Sequence, residues 1–117
     1  MGVDFVKCDV LKDQAVLIEN IKTNDVVIHL ACSVTPGTSG ENHILDAKEN
    51  IIGALQLFEI CKNKNVKKII FASSGGTIYG NHPRARRESD ETKPINFYGA
   101  MKLAIEGYLH TYGHLYK

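Results

Sequence analysis

The sequence has no tryptophan, no long apolar run and no excess of charge of either sign. Without an apolar run of membrane-spanning length, no bilayer-crossing helix is expected. The first residues do not combine a basic stretch with an apolar one, so no secretory signal is predicted. Fourteen basic residues face thirteen acidic ones, and this balance favours neither nucleic acid nor a membrane surface as a partner.

Paired cysteines are also missing. Cys8, Cys32 and Cys61 are odd in number, far apart and outside any CxxC pair, which argues against a disulfide framework. A zinc site requires tighter ligand spacing than this, so no metal site is predicted. We expect three reduced, buried thiols in a cytoplasmic protein.

What is present is one domain's length of alternating strand and helix patterns. The 117 residues are 44% hydrophobic, as in ordinary globular proteins. Strand-type composition occurs in residues 3–10, 26–31 and 68–72. Helical patterns occupy residues 11–21, 42–64 and 97–115. The last two strand runs are continuously apolar, which predicts strands covered on both faces. The order predicts an α/β fold with a parallel sheet and helical crossovers.

Apolar side chains recur at helical spacing along both long helices. The sets are Ile44, Ile51, Leu55 and Phe58 on the first helix, and Tyr98, Met101, Ile105, Leu109 and Tyr112 on the second. Asn63 or Asn65 is suited to end the first helix in a left-handed conformation. Asn96 is suited to cap the start of the second.

The strongest candidate for chemistry is the pair Tyr98 and Lys102. Residues four apart on a helix share a face, so the phenol and the ammonium can point at one site. A nearby cation favours the phenolate and lowers a tyrosine pKa from its ordinary value near 10. Such a phenol can remove a hydroxyl proton. The alternative is an amphipathic surface tyrosine beside a solvated lysine.

A second candidate is the end of the third strand run, where Ser73 and Ser74 precede Gly75 and Gly76, followed by Thr77. Small residues let a ligand approach the backbone, and hydroxyls relay protons or bind sugar oxygens. The alternative is an ordinary Ser/Gly turn.

Other residues are ambiguous singly. His29, in an apolar strand, is more often a core residue than a catalyst, while the small Ala31 after it leaves room for a flat ligand. Asp9 is suited to cap the following helix, and Asn50 alone reads as an exposed helical polar residue.

The segments VKCDV, VVIHLA, ENIIGALQL, IIFASSGGTIYG and YGAMK, with Glu88 and Pro94 between the last two, occur in one order. This series resembles the NAD-dependent epimerase/dehydratase branch of the extended short-chain dehydrogenase/reductase family, whose well-known type is UDP-glucose 4-epimerase. The resemblance covers nearly the whole chain. It implies a partial Rossmann-like sheet with strands equivalent to strands 3, 4 and 5 of that fold.

The resemblance also implies roles. The cofactor would be NAD and the substrate a nucleotide sugar, oxidised at C4 to a keto intermediate and reduced again on the other face, an isomerase reaction used in polysaccharide biosynthesis. Tyr98 would be the base and Lys102 its cationic partner, which also binds the nicotinamide ribose. The remaining cofactor contacts would be Asp9 and Val10 beside adenine, Leu30 and Ala31 along the diphosphate and ribose, Asn50 at the nicotinamide, and Ser73.

The chain departs from the family pattern at the proton relay. The family places Ser or Thr four residues before the tyrosine of its TVYG-like segment, and here that residue is Gly75. Ser74 or Thr77 would substitute, or the relay is absent. The family's dehydratases follow that residue with Asp-Glu, here Gly76 and Thr77, so epimerase or simple oxidoreductase chemistry is favoured.

Two family segments are missing from the pattern. No GxxGxxG phosphate-binding turn occurs, and nothing matches the C-terminal substrate domain. We therefore expect residues 1–117 to form the central and C-terminal part of an NAD-binding Rossmann-type domain, with exposed strand edges. Alone, such a chain would bind little NAD and be inactive.

Three interpretations of function remain open at this point: an epimerase-type fragment, a sugar-nucleotide reductase or dehydratase relative, or a non-catalytic remnant acting as an interaction module. In the family, the helices matching residues 42–64 and 97–115 often form a homodimer across a two-fold axis, and a homodimer is possible here.

Overall fold

The computed structural model describes residues 2–116. Its elements are α1 (Gln14–Asn20), β1 (Val26–His29), α2 (His43–Ala47), a π-helical turn (Lys48–Ile52), α3 (Gly53–Asn63), β2 (Lys68–Phe71) and α4 (Phe97–Leu115). The two strands pair in parallel, with Val26 opposite Lys68 and His29 opposite Phe71. The predicted α/β class with a parallel, partial Rossmann-like sheet is confirmed.

The prediction of a third strand at residues 3–10 is wrong. This segment has no strand assignment, and Val3 and Phe5 are 96% and 89% exposed. A strand exists only where a neighbour accepts and donates its ladder bonds, and the sheet of the described residues holds β1 and β2 alone. The gap and the open strand edges expected from the missing strands are therefore present.

The predicted helix at residues 42–64 is interrupted by the π-helical turn. It begins as expected after Asn42, whose Oδ1 accepts a hydrogen bond from the Leu45 amide (3.1 Å). A π turn takes more residues per turn than an α-helix and so changes which side chains share a face. Ile44 is accordingly 76% exposed instead of joining the predicted stripe, whereas Phe58 is fully buried.

Helix α3 ends as predicted at a left-handed asparagine, Asn65, with φ of 52°. Helix α4 has the predicted bounds, and the Asn96 Oδ1 accepts a hydrogen bond from the Gly99 amide (2.7 Å). Helix α1 is shorter than the predicted residues 11–21. Within residues 2–116, no helix has both the length and the apolar character needed to cross a bilayer.

The core lies on one face of the sheet, beneath α3 and α4. One cluster contains Ile21, Leu57, Ile60 and Cys61, and the other Ala54, Phe58, Met101 and Ile105. The opposite face is bare: Val26, Ile28 and Ile70 are 50%, 59% and 43% exposed. The prediction that both faces are covered is therefore wrong for the described residues.

Candidate active site

The candidate site lies where β1 and β2 end side by side and α4 begins. Lys102 on α4 is 3% exposed, and its Nζ donates a hydrogen bond to the Ala72 carbonyl just past β2 (2.9 Å). The same Nζ lies 4.8 Å from the ring centre of Phe71 and 5.6 Å from that of Tyr98. Lys102 is thus a buried, directed cation, so the alternative of a solvated lysine is wrong.

The electrostatics of Tyr98 differ from the sequence-based expectation. Burial raises the pKa of its phenol, the nearby Cys32 side chain raises it further, and the Ser74 side chain lowers it. The prediction that Lys102 lowers this pKa is therefore wrong, because burial is the largest influence on the phenol. These residues alone therefore favour the neutral phenol, and a further positive charge is required to favour phenolate.

The structure separates the two relay candidates. The Ser74 side chain lowers the pKa of the Tyr98 phenol, whereas the Thr77 hydroxyl donates to the Ser74 carbonyl in its own turn (3.3 Å). The neighbouring Ser73 hydroxyl is buried, and no described residue hydrogen-bonds to it. A buried hydroxyl without a partner is costly unless something else satisfies it.

Gly99 has a structural role that the sequence reasoning missed. A Cβ on Gly99 would lie 2.6 Å from the Thr77 carbonyl oxygen, so only glycine permits the turn after β2 to approach the first turn of α4 this closely. This close approach packs the turn that contains Ser74 against the first turn of α4, which carries Tyr98. The glycine directly after the tyrosine was the available signal.

A cleft of about 260 Å³ lies on the other side of the β1 end, and it gathers four of the predicted cofactor residues. Asp9, Val10, Ala31 and Asn50 all line it, together with Cys32 and Ser33. Leu30 does not line it, and its side chain is 68% exposed. Cys32 connects this cleft to Tyr98, whose pKa it affects. The prediction of three buried thiols is wrong for two of them, since Cys32 is exposed and Cys8 is half-buried, whereas Cys61 is buried; all three are free.

Asn50 connects the loop after β1 to the π-helical turn through hydrogen bonds. It is 7% exposed; its Oδ1 accepts from the Ser33 amide (3.0 Å), and its Nδ2 donates to the Ser33 hydroxyl and the Asp46 carbonyl (2.8 Å each). The interpretation of Asn50 as an exposed helical residue is therefore wrong. Ser33, its partner, was not identified from the sequence, because the contact depends on the π turn.

Asp9 satisfies the backbone at the approach to α1. Its Oδ1 accepts hydrogen bonds from the amides of Leu11 (2.9 Å) and Lys12 (3.1 Å), and its Oδ2 pairs with the Lys12 ammonium (3.3 Å). These contacts lower the pKa of the Asp9 carboxyl. The helix-capping interpretation is wrong, because Leu11 and Lys12 precede α1, whose N-cap residue is Asp13. Asp9 also lines the cleft.

His29 is a core residue, as favoured from the sequence. It is 6% exposed and stacks on Phe71 with ring centres 5.5 Å apart. Burial, and then the charge of Lys102, lower the pKa of its imidazole. Because this lowered pKa favours the neutral imidazole, the Lys102 ammonium supplies the positive charge of the site.

The hydrogen-bond donors at this site suit the ribose and planar ring at one end of a dinucleotide, but they do not suit its central diphosphate. An ammonium has three donors, of which Lys102 uses one on Ala72, and the unpartnered Ser73 hydroxyl and the small Ala31 add polar and flat surfaces. These suit a ribose and a planar ring. The cleft, however, contains the carboxylates of Asp9 and Glu49, and no described residues form a Gly-rich turn opening a helix, the usual diphosphate site.

Residues 2–117 match one family model, that of the NAD dependent epimerase/dehydratase family. The chain belongs to this family. Among curated relatives, a putative UDP-glucose 4-epimerase of Methanocaldococcus jannaschii is 32% identical over 97% of this chain. The match spans 37% of that relative, so the chain has little more than a third of its relative's length.

Solved structures agree with this assignment and share the Rossmann-like fold. A UDP-N-acetylglucosamine 4-epimerase from Methanobrevibacter ruminantium M1 matches with a TM-score of 0.85 and 34% identity, covering 95% of this chain and 35% of that one. The UDP-glucose 4-epimerase of Thermus thermophilus, solved with NAD, matches with a TM-score of 0.81 and 35% identity, covering 91% and 35%.

Proposed function

We propose that this chain carries the catalytic half-site of an NAD-dependent nucleotide-sugar 4-epimerase, with Tyr98 as the base. The observation that carries the proposal is the burial of Lys102, held by the Ala72 carbonyl beneath the Tyr98 ring. Burying an ammonium costs desolvation free energy, so lysine side chains are rarely buried unless they are paired. Here the buried Lys102 presents a positive charge and unused hydrogen-bond donors at the ends of two parallel strands, where ligands bind in such sheets.

In the proposed reaction, NAD held with Lys102 at its nicotinamide ribose would supply the acceptance and return of hydride at sugar C4. Tyr98 takes the C4 hydroxyl proton, and Ser74, next to it, relays that proton. Lys102 orients the nicotinamide ribose with the donors that Ala72 leaves free. Because the residues alone raise the Tyr98 pKa, Tyr98 acts as a base only when the oxidised, cationic cofactor is bound, which couples proton removal to readiness for hydride transfer.

The remaining cofactor residues have graded support. Asp9, Val10, Ala31 and Asn50 share the cleft beside the β1 end, with Asn50 acting through the loop it fastens. Leu30 would contribute only through its backbone, since its side chain points out of the cleft.

The choice of epimerisation depends on the two residues after Gly75. Gly76 and Thr77 replace the acidic pair used in dehydration, and the Thr77 hydroxyl is engaged with its own turn. No carboxylate in this turn is available to protonate a leaving hydroxyl. A reductase relative or a non-catalytic remnant would be distinguished by its products.

We further propose that residues 1–117 act as part of a larger NAD-binding unit, since the described residues offer no diphosphate site. Such a unit would dimerise through α2–α3 and α4, in the manner of the family. The chain by itself is then expected to bind NAD weakly and to turn over no sugar.

The test is a chimera in which this chain replaces the segment it matches in the Thermus thermophilus epimerase. With UDP-glucose, the chimera should form UDP-galactose, and Tyr98→Phe should lower that rate about 10²–10⁴-fold, the usual contribution of a positioned proton-transfer group. The matched control is Tyr108→Phe, another tyrosine of α4 that is 47% exposed, which should leave the rate unchanged.

The products and the variants separate the alternatives. A 4-keto or 6-deoxy sugar would assign the chain to dehydratase or reductase chemistry instead. A folded chimera that binds NAD but converts no sugar, or one in which Tyr98→Phe remains fully active, would overturn the proposed function.

A further inference from the structure

The loop between β2 and α4 is organised around one carboxylate, Asp90. Its two oxygens accept two parallel hydrogen bonds from the Arg84 guanidinium (2.9 and 3.0 Å), and Oδ2 also accepts the Arg87 amide (3.0 Å). Its side chain is only 15% exposed. This fork geometry fixes the loop, although the Arg84 side chain is 54% exposed.

Arg86 extends from this carboxylate to the turn after β2. Its Nη1 lies 3.7 Å from the Asp90 Oδ2, and its Nη2 donates to the Tyr79 carbonyl (3.2 Å). With 17% of its side chain exposed, Arg86 is an inner bridge between the loop and residue 79. A guanidinium can serve two acceptors at once because its donors form a rigid fork.

The turn that Arg86 holds is the one that carries Ser74. The amides of Thr77 and Ile78 both donate to the Ser74 carbonyl (3.0 and 3.1 Å), so residues 74–79 form a compact unit. A Cβ on Gly80 would lie 2.3 Å from the Lys93 carbonyl oxygen, which packs the end of this turn against the same loop. Movement of the loop is therefore transmitted to Ser74.

We propose that Asp90 is a positioning residue: through Arg86 and the Tyr79 carbonyl, it fixes the turn at residues 74–79 so that Ser74 stays beside Tyr98. The significance of this inference rests on the proposed function, in which Ser74 is the relay and Tyr98 is the base. The Arg86 contact and the packing of the turn against Gly99 exist without substrate or cofactor, so the inference is tested separately from activity.

The readout is the phenol pKa of Tyr98 in the chain itself, followed by NMR with ¹³Cζ-labelled tyrosine and assigned with Tyr98→Phe. Burial and Cys32 raise the pKa of this phenol and Ser74 lowers it, and the Lys102 ammonium lies 5.6 Å from the ring centre. Ser74→Ala removes the contribution that lowers the pKa, so the pKa should rise. Asp90→Asn should raise it in the same direction, and the double variant Ser74→Ala/Asp90→Asn should rise no further than Ser74→Ala alone.

Two further variants distinguish positioning from loss of structure or charge. Arg86→Lys keeps the charge but loses the fork, and it should raise the Tyr98 pKa as Asp90→Asn does. Glu91→Gln breaks the adjacent exposed ion pair with Lys93 (2.9 Å) and should leave the pKa unchanged. Urea unfolding verifies that each variant is folded.

Additive shifts in the double variant, or equal shifts in Asp90→Asn and Glu91→Gln, would mean that Asp90 acts by charge alone and would overturn the inference. An unchanged Tyr98 pKa in folded Asp90→Asn and Arg86→Lys would do the same. Neither result bears on epimerisation by the chimera, so the two proposals fail independently.

Discussion

The two faces of the small sheet are built from similar residues, but one face is buried and the other is exposed. The side chains that meet α3 and α4 are Val27, His29, Ile69 and Phe71. Those that face the other way are Val26, Ile28 and Ile70, each more than 40% exposed. Parallel sheets are ordinarily covered on both faces, so composition along a strand indicates what it is suited to pack against and not what covers it.

The candidate pair Tyr98 and Lys102 lies on α4, which packs over the covered face, whereas Ser74 and Thr77 lie in the turn after β2. Lys102 reaches Ala72 from α4, and Tyr98 lies one turn earlier on the same helix. Their positions follow from the packing of α4 on α3 through buried apolar side chains. Asp9, proposed for the adenine end of the cofactor, belongs instead to an N-terminal segment that has no strand partner among the described residues.

The largest expected difference is in stability. Phe58→Ala removes a ring of α3 that is fully buried against α4 and the sheet, and such truncations cost about 3–5 kcal/mol. Ile28→Thr changes a strand residue that is 59% exposed and should alter stability by no more than about 0.5 kcal/mol. Urea unfolding followed by circular dichroism measures both.

Since Phe58→Ala can exceed the whole stability of so small a core, Phe58→Leu serves as the milder variant, with an expected loss of about 1.5 kcal/mol. If Ile28→Thr proved as costly as the Phe58 variants, the open face would have to be covered in solution by another chain, and the contrast between the faces would disappear.

The next largest effect is a difference in stability between alanine substitutions at two glycines of α4. Gly99→Ala places a methyl group 2.6 Å from the Thr77 carbonyl oxygen, and such overpacking costs about 1–3 kcal/mol. Gly107→Ala points into open space and should stabilise α4 by about 0.5–1 kcal/mol, because glycine is a poor helix former. Thermal unfolding of the two variants shows whether each substitution lowers or raises the stability of the fold.

Gly99→Ala should also raise the Tyr98 pKa, because the displaced turn carries Ser74, whose contact lowers it. A stabilising Gly99→Ala would show that the turn after β2 is not held against α4, and the close approach would have no role in the site.

Features encoded locally were predictable from the sequence. The bounds of α4, the Asn96 cap and the left-handed Asn65 depend on residues within one helical turn of themselves, and each is as expected. The gathering of Asp9, Ala31 and Asn50 around one cleft followed from the family resemblance and not from spacing.

Features that depend on distant partners were not predictable. Residues 3–10 have strand composition but no strand to pair with, and the π-helical turn that exposes Ile44 and buries Asn50 has no sequence signal that we recognised. The raised pKa of Tyr98 comes first from burial, which depends on how α4 packs in three dimensions.

The smallest expected effect is a pH dependence confined to the covered face. Burial and then Lys102 lower the pKa of His29 from 6.5, so the unfolded chain takes up this proton more readily than the folded one. The stabilisation is therefore complete above about pH 6.5 and is lost as the pH falls through that value toward the folded-state pKa. Urea unfolding at pH 7.5 and 5.5 should give the lower stability at pH 5.5.

The variant His29→Leu keeps an apolar side chain against Phe71 and has no proton to gain, so the difference in stability between the two pH values should shrink. His110→Gln, at an exposed position of α4, should keep the wild-type difference. Lys102→Met removes the second cause of the lowered His29 pKa while burial remains, so it should give an intermediate slope. If His110→Gln flattened the dependence as much as His29→Leu, the pH response would belong to the surface, and burial of the imidazole beside Lys102 would not be its origin.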